Sequence, residues 1–432
     1  MEPDSTSVQP TRLFNRNFFL LWQGQFVSQL GNQVHAIALM LWIKHATGSA
    51  SLMGMIMMFS MLPGVLLGPF GGTLADRHSR RVIIIICDLL SGIAVISLAA
   101  LLFYAPDRVP LVIVWLFTVS ILLGLIGAFF RPAISAAIPD LVPQDKIATA
   151  NSLNQSSIQV SSLLGQGVGG VLFRVLGAPF LFLADGLSYI FSGSCTLMIK
   201  IPQTIPEKGS GFKTTLRQFT GDTREGFRYI WQRKGMRDVF FAASFLNFFL
   251  SPLGVLFPFY VEDHLHATPD WFGFIMAAFG VGALIGYGLV AVLRLKGRER
   301  SNLVMFFLVL ISVAFAGLGL VKVPYQALLI TLMMGLLAGV INVNIITILQ
   351  TTTPSEIRGR IFGVLGTITA GLMPIGMGLA GVVAGLLDNN VPLIYFICGI
   401  ISMILTFLLS LSRNFRDYLA YEPDAENNQL SS

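Results

Sequence analysis

Charge is what this chain has least of: Asp, Glu, Lys and Arg together make up 12% of it, about half the share usual in soluble domains. A protein of 432 residues folded in water keeps an extensive wet surface, which so few charges cannot cover. A soluble globular class is thereby excluded. Cysteine is also scarce. Cys87, Cys195 and Cys398 all fall within apolar runs, which excludes a disulfide framework and leaves them as small hydrophobic packing groups. There is no Gly-Lys-Ser/Thr phosphate loop, so the chain is not expected to hydrolyse ATP. No nucleophile–base constellation marks an enzyme, and no cofactor is implied. His264 and His266 stand beside Glu262 and Asp263 without a third well-spaced ligand, so a solvated loop is expected there and no metal. Residues 1–16 are polar and no small-residue cleavage site follows the first apolar stretch, which is therefore expected to remain as an uncleaved span.

Apolar residues are what abound. Hydrophobic side chains make up 54% of the chain, with 34 Phe and 43 Gly, and the mean hydropathy is +0.74. Lipid is the solvent that accommodates such a composition, and Gly is commoner in membrane helices than in soluble ones. A span needs about 20 mostly apolar residues. Runs of that kind lie near Phe18–Ile43, Leu52–Leu74, Val82–Tyr104, Val109–Phe130, Ala148–Leu172 and Pro179–Ile199. A second set lies near Val239–Val261, Phe272–Leu293, Leu303–Val321, Gln326–Leu349, Ile361–Leu387 and Pro392–Leu411. The expected fold is all-α: a polytopic membrane protein with twelve transmembrane helices.

The basic residues give an orientation. With both termini cytoplasmic, the inner segments hold Arg12, Arg16, Arg77, Arg80, Arg81, Arg131 and Lys146, all nine basic residues from Lys200 to Arg237, the four from Arg294 to Arg300, and Arg358, Arg360, Arg413 and Arg416. Only Lys44, Arg108, Arg174 and Lys322 fall outside. Such a bias in short loops sets topology, and it accounts for the net charge of +6 through anionic lipid rather than nucleic acid. The polar stretch Lys200 to Asp238 carries Phe212, Leu216, Phe219, Phe227, Tyr229, Ile230 and Trp231 among its charges, the pattern of an interfacial helix.

The chain is internally duplicated. At an offset of 211 residues, Gly124 pairs with Gly335, Pro143 with Pro354, Asp145 with Glu356, Gly165 with Gly376 and Gly170 with Gly381. At an offset of 218, Gly64 pairs with Gly282, Gly68 with Gly286 and Arg80 with Arg298. The expected organisation is a six-helix bundle over residues 1–199, a cytoplasmic linker over 200–238, a second, pseudo-symmetric six-helix bundle over 239–412 and a cytoplasmic tail over 413–432. Parallel repeats of this kind belong to transporters that rock two bundles about a midplane site, with close small-residue contacts at helices that slide.

The loop after the second span reads Gly72-Thr73-Leu74-Ala75-Asp76-Arg77-His78-Ser79-Arg80-Arg81. On its own it is a tight basic turn. Its order closely resembles the signature between spans 2 and 3 of the major facilitator superfamily, with Ser79 in place of the usual Gly. The resemblance implies the two-bundle facilitator fold, and that Gly72, Asp76, Arg77, Arg80 and Arg81 form a latch between bundles. Gly165-Gln166-Gly167-Val168-Gly169-Gly170 is similar to the Gly-Pro-x-x-Gly-Gly pattern of that superfamily's drug:proton antiporters, with Gln166 replacing Pro. Gly165, Gly169, Gly170, Gly376 and Gly381 are equally read as helix-packing positions. Arg131-Pro132-Ala133, Pro139-Asp140-Leu141-Val142-Pro143, Ala150-Asn151-Ser152, Ala184-Asp185-Gly186-Leu187-Ser188-Tyr189 and Pro354-Ser355-Glu356-Ile357-Arg358-Gly359-Arg360 resemble the macrolide-efflux type of facilitator. That resemblance implies a proton-coupled exporter of small amphipathic or hydrophobic compounds in the cell membrane.

Polar residues inside spans are the informative exceptions, because a charge at a helix centre costs about 2.5–3.5 kcal/mol on insertion scales. Asp185 and Asp88 each stand about two turns into a span. Either is a proton-coupling candidate or one half of a structural contact, and Arg131 is an available partner for Asp88. Gln25, Gln29 and Asn32 share one face of the first span, flanked by Gln33 and His35, and Asn247 and Ser251 repeat the spacing in the seventh. These are read either as the wall of a substrate cavity or as amide contacts between helices, and His35 either as a satisfied polar contact or as a proton relay. Three functions stay open: a proton-coupled exporter, a lysophospholipid or siderophore transporter or flippase of the same fold, and a non-transporting membrane receptor.

Overall fold

A computed structural model of the chain describes residues 12–203, 221, 224–293 and 296–422. Every regular element among the described residues is helical: α1 (Arg16–Thr47), α2 (Ala50–Arg77), α3 (Arg80–Tyr104), α4 (Val109–Leu141), α5 (Ile147–Leu197), α6 (224–232), α7 (Lys234–Phe259), α8 (Asp270–Leu293), α9 (Gly297–Leu318), α10 (Pro324–Thr352), α11 (Ser355–Leu386), α12 (Val391–Leu411) and α13 (Arg413–Leu419). Among the described residues nine helical segments are long and apolar enough to cross a membrane.

One of the nine is two spans in one. α5 has 51 residues and would be about 77 Å long at 1.5 Å per residue, more than twice the hydrocarbon thickness of about 30 Å. It breaks at Gly177, whose φ of 78° and ψ of 165° are open to glycine but strained for other residues. The loop expected between Leu172 and Pro179 is thus a one-residue hinge. α1 has 32 residues but its apolar run is broken by polar side chains, and α11 ends in a shorter apolar helix, Gly371–Leu386. These elements are consistent with the twelve spans read from the sequence. Bulky apolar side chains such as Ile93, Val114 and Phe306 are more than 60% exposed, a surface that suits lipid and not water.

The chain divides into two units, one of Met1–Ala46 with Phe59–Thr215 and one of Thr47–Met58 with Leu216–Ser432. Each is packed in the same way internally. In the first, Gly124 of α4 presses on the Ser60 carbonyl of α2, and Gly165 and Gly169 of α5 press on Gln33 and Ile37 of α1. In the second, Gly335 of α10 presses on the Phe279 carbonyl of α8, and Gly376 of α11 on Ser251 and Phe248 of α7. A Cβ at any of these positions would enter a neighbouring helix, so the repeated glycines mark repeated helix crossings. Gly381 of α11 faces Ala50 and Gly54 of α2, which fall in the same unit as α11, and Gly170 is buried.

Part of the stretch expected as a tail is structured. α13 inserts Phe415 and Leu419, both fully buried, while Tyr418 covers Gly235 and Ser301 donates to the Arg416 carbonyl at 2.9 Å. Phe212, Leu216 and Phe219 of the expected interfacial segment lie outside the described residues, as do the side chains of Asp76, Glu356, Arg358 and Arg360.

Candidate functional site

The polar residues of α1 meet those of the second arm of α5 in antiparallel register. Gln25, Asn32 and His35 on α1 lie opposite Ser192, Tyr189 and Asp185 on α5, so that contact order descends on one helix as it rises on the other. Gln25 Nε2 donates to Ser192 Oγ at 3.0 Å, and Ser192 Oγ donates onward to Asp88 Oδ2 of α3 at 2.8 Å. Tyr189 donates a very short hydrogen bond to Asn32 Oδ1. His35 Nδ1 lies 2.9 Å from Asp185 Oδ2, within ion-pair distance though the two atoms are not aligned for a hydrogen bond, and the imidazole edge meets the Phe182 ring at 4.9 Å between centroids.

Burial makes this seam chemically consequential. Asp185 and Ser192 are 0% exposed, Asp88 1% and His35 8%. The second Asp88 oxygen, Oδ1, is buried and has no hydrogen-bond partner. A carboxylate at such depth needs a counter-charge or a proton. For Asp185 the group in reach is His35, whose imidazole is a counter-charge when it carries a proton. Backbone space allows the contact: a Cβ on Gly31 would stand 2.6 Å from Asp185 Oδ1 and would also strike the Ser188 hydroxyl. Ser188 Oγ in turn donates to the Asp185 carbonyl oxygen at 2.7 Å.

The structure brings together some candidates and separates others. His35 and Asp185 form one unit. Asp88 is joined to Ser192, whereas Arg131, which the sequence offered as its partner, is exposed on α4. Gln25 is buried as interhelical glue. Gln29 buries its Oε1 without a hydrogen bond. Gln33 turns to the first arm of α5, where it accepts from Gln166 Nε2 at 3.3 Å, and Gln166 also donates to Ser162 Oγ at 2.9 Å. The glutamine that departs from the antiporter pattern therefore ties α5 to α1. In the other unit, Asn247 is exposed and donates to the Ala243 carbonyl of its own helix at 2.9 Å. Ser251 donates to the Phe248 carbonyl at 2.7 Å and is enclosed against Gly376. Ser192 was not singled out in the sequence, though it shares a face with Asp185 seven residues earlier. His264 is held by the Val321 carbonyl at 2.7 Å within a π-helical turn, Tyr260–His264.

The basic turn after α2 fastens helices within the first unit. Arg80 forms a very short ion pair with Asp140 of α4 and donates to the Ala136 carbonyl at 3.0 Å. Arg81 donates to the Leu197 and Thr196 carbonyls at the end of α5, at 2.6 and 3.4 Å, answering carbonyls that a helix end leaves free. Gly72 is half-buried in α2 and Arg77 has partners of its own. The Arg80 and Asp140 side chains are only 17% and 24% exposed. Arg80→Gln is therefore expected to destabilise the detergent-purified protein by about 1–3 kcal/mol. Asp140→Asn should do the same, and the double variant should lose less than the sum. Strictly additive losses in thermal unfolding would contradict the pairing.

A chain of long apolar helices, built twice on one packing plan and burying an acid–imidazole pair within a span, is a polytopic membrane transporter. Known proteins specify the class. Over residues 6–429 the chain matches the family model for transmembrane secretion effectors, and it belongs to that family, a branch of the major facilitator superfamily. Macrolide efflux protein A of Streptococcus pyogenes is 27% identical over 382 residues, covering 86% of this chain and 90% of that protein. The multidrug efflux pump Tap of Mycolicibacterium fortuitum is 25% identical over 366 residues, covering 82% and 86%. Among solved structures, the nucleoside transporter NupG aligns with a TM-score of 0.69 at 15% identity, over 94% of this chain and 99% of that one. A D-xylose–proton symporter aligns with a TM-score of 0.64 at 15% identity, over 90% and 97%. At such identities the structural likeness is one of fold.

Proposed function

We propose that the chain is a proton-coupled exporter of small amphipathic or hydrophobic compounds, seated in the cell membrane with both termini in the cytoplasm and working by alternating access of its two bundles. The observation that carries this reading is the buried Asp185–His35 contact. A proton taken up there changes the charge of a site that lipid and protein shield from water, so the two protonation states favour different packings of α1 against α5. Differential stabilisation of two states is what couples an ion gradient to a conformational cycle. The family membership and the efflux relatives support export. The 34 Phe and 16 Met side chains supply adaptable apolar contact for amphipathic cargo. Arg80 and Arg81 are assigned to holding the first bundle rigid while it rocks, and the Gln166 bridge to keeping α5 registered on α1.

Everted membrane vesicles supplied on the outside with a fluorescent amphipathic dye or a macrolide test the reading. Imposing an inwardly acidic pH difference is expected to drive accumulation, and a protonophore to abolish it. Accumulation that persists unchanged with the gradient collapsed would overturn proton coupling. Gradient-independent movement of a lysophospholipid would assign the chain instead to lipid translocation.

A further inference from the structure

We propose that α6, together with the start of α7, is a binding surface for anionic phospholipid headgroups. At about 100° per residue the nine residues of α6 sort into distinct stripes. Gly226 and Ile230 face inward, and Ile230 joins a buried cluster with Met236, Phe240, Leu349 and Ile361. Next round the helix come Phe227 and Trp231, 45% and 50% exposed and stacked at 5.4 Å. Adjoining them is a stripe of Arg224 and Arg228, both exposed. The aromatic stripe does not stop at the end of α6: Trp231 meets Phe241 of α7 edge-on at 5.9 Å, and Phe241 and Phe245 are themselves exposed on a membrane-spanning helix.

Exposed aromatics continuous with a lipid-facing helix belong at the level where acyl chains meet headgroups. That places the neighbouring arginines at the phosphate level. Charge complementarity decides the occupant. Arg224, Arg228, Arg233, Lys234 and Arg237 stand against Glu225 and Asp238, and Asp238 is itself approached by Arg237 at 3.8 Å. Arg233 is engaged, lying 4.3 Å over the Tyr229 ring and donating to the Thr352 carbonyl. Arg224 and Arg228 make no hydrogen bond or ion pair among the described residues, which leaves their guanidinium forks to donate bidentately to phosphodiester oxygens. A neutral zwitterionic surface would satisfy the aromatic stripe but not the excess positive charge.

The full-length protein in nanodiscs provides the test, with no transport readout, so it stands or falls apart from the export reading. Trp231 fluorescence, isolated by difference from Trp231→Phe, is quenched with brominated phosphatidylglycerol or brominated phosphatidylcholine at equal mole fraction. Quenching by both lipids is expected, with phosphatidylglycerol preferred. Each arginine is worth about a five-fold gain in affinity near an anionic surface, so Arg224→Gln with Arg228→Gln should lower that preference by roughly 25-fold at low salt while quenching by phosphatidylcholine persists. Equal quenching of the native protein by the two lipids would overturn the proposal. So would a preference that survives the double variant, or an absence of quenching by either lipid.

Discussion

Asp185→Asn is expected to reduce gradient-driven efflux to the leak rate while leaving the protein folded. The side chain is fully buried, yet Asn matches Asp in shape and keeps an oxygen for Ser188 and a polar face for His35. The loss in stability should stay near 1–3 kcal/mol, the range for an imperfectly satisfied buried polar group. What disappears is the site's ability to change charge. Counterflow, in which labelled substrate exchanges for unlabelled substrate with no gradient, should therefore survive in the variant. His35→Gln should behave differently. It leaves a buried carboxylate without its partner, and removing one member of a buried pair is destabilising by about 3–5 kcal/mol. Its yield should fall below that of Asp185→Asn. Asp185→Asn vesicles that retained full gradient-driven efflux would remove Asp185 from coupling.

Gly31→Ala is expected to lose at least about tenfold in gradient-driven efflux, equivalent to about 1.4 kcal/mol, although it changes no ionisable group. In an open helix position, Gly→Ala stabilises by roughly 0.5–1 kcal/mol. Here the added methyl would stand 2.6 Å from Asp185 Oδ1, so α1 or the carboxylate must move and the His35 contact opens. Overpacking of this kind costs about 1–3 kcal/mol, and the sign of the stability change is thereby reversed. Asp185→Gly removes one of the two contacts and leaves the Ser188 hydroxyl, which the added methyl would still strike, so Gly31→Ala should cost less stability in the Asp185→Gly background than in the native one. The double variant should still fail to couple. An equal cost of Gly31→Ala in both backgrounds would show that Gly31 does not face Asp185.

The twofold organisation was legible in the sequence because glycines at helix crossings leave no alternative residue to disguise them. Gly124 with Gly335, and Gly165 with Gly376, mark the same contacts in each unit. The expected break between the fifth and sixth spans was correct in place but not in form, since a single glycine with positive φ does the work of a loop. The site was half legible. Asp185, Asp88, Gln25, Asn32 and His35 stood out because polar side chains in lipid are costly, which reads directly from composition. Their pairing did not, because rotation of α1 about its axis is set by what it packs against. Gln25, Gln29 and Asn32 fall within about 60° of one another on a helical wheel, yet Gln25 and Asn32 find partners on α5 while Gln29 Oε1 is buried without a hydrogen bond. Ser192 was hidden for the opposite reason: serine is common in membrane helices, and only its position between Gln25 and Asp88 distinguishes it. Asp88 and Arg131 were offered to each other by sequence, but the second arm of α5 supplies the nearer hydroxyl.

Proton release on substrate binding is the most direct measurement. Purified protein in lightly buffered detergent solution is mixed with a transported amphipathic cation or macrolide, and the pH of the bulk is followed. If the Asp185–His35 pair exchanges its proton for substrate-bound packing, the native protein should release protons in a saturable, stoichiometric manner. Asp185→Asn should bind the same ligand and release none. Equal proton release from both proteins, or saturable binding with no release from the native one, would contradict coupling through this pair.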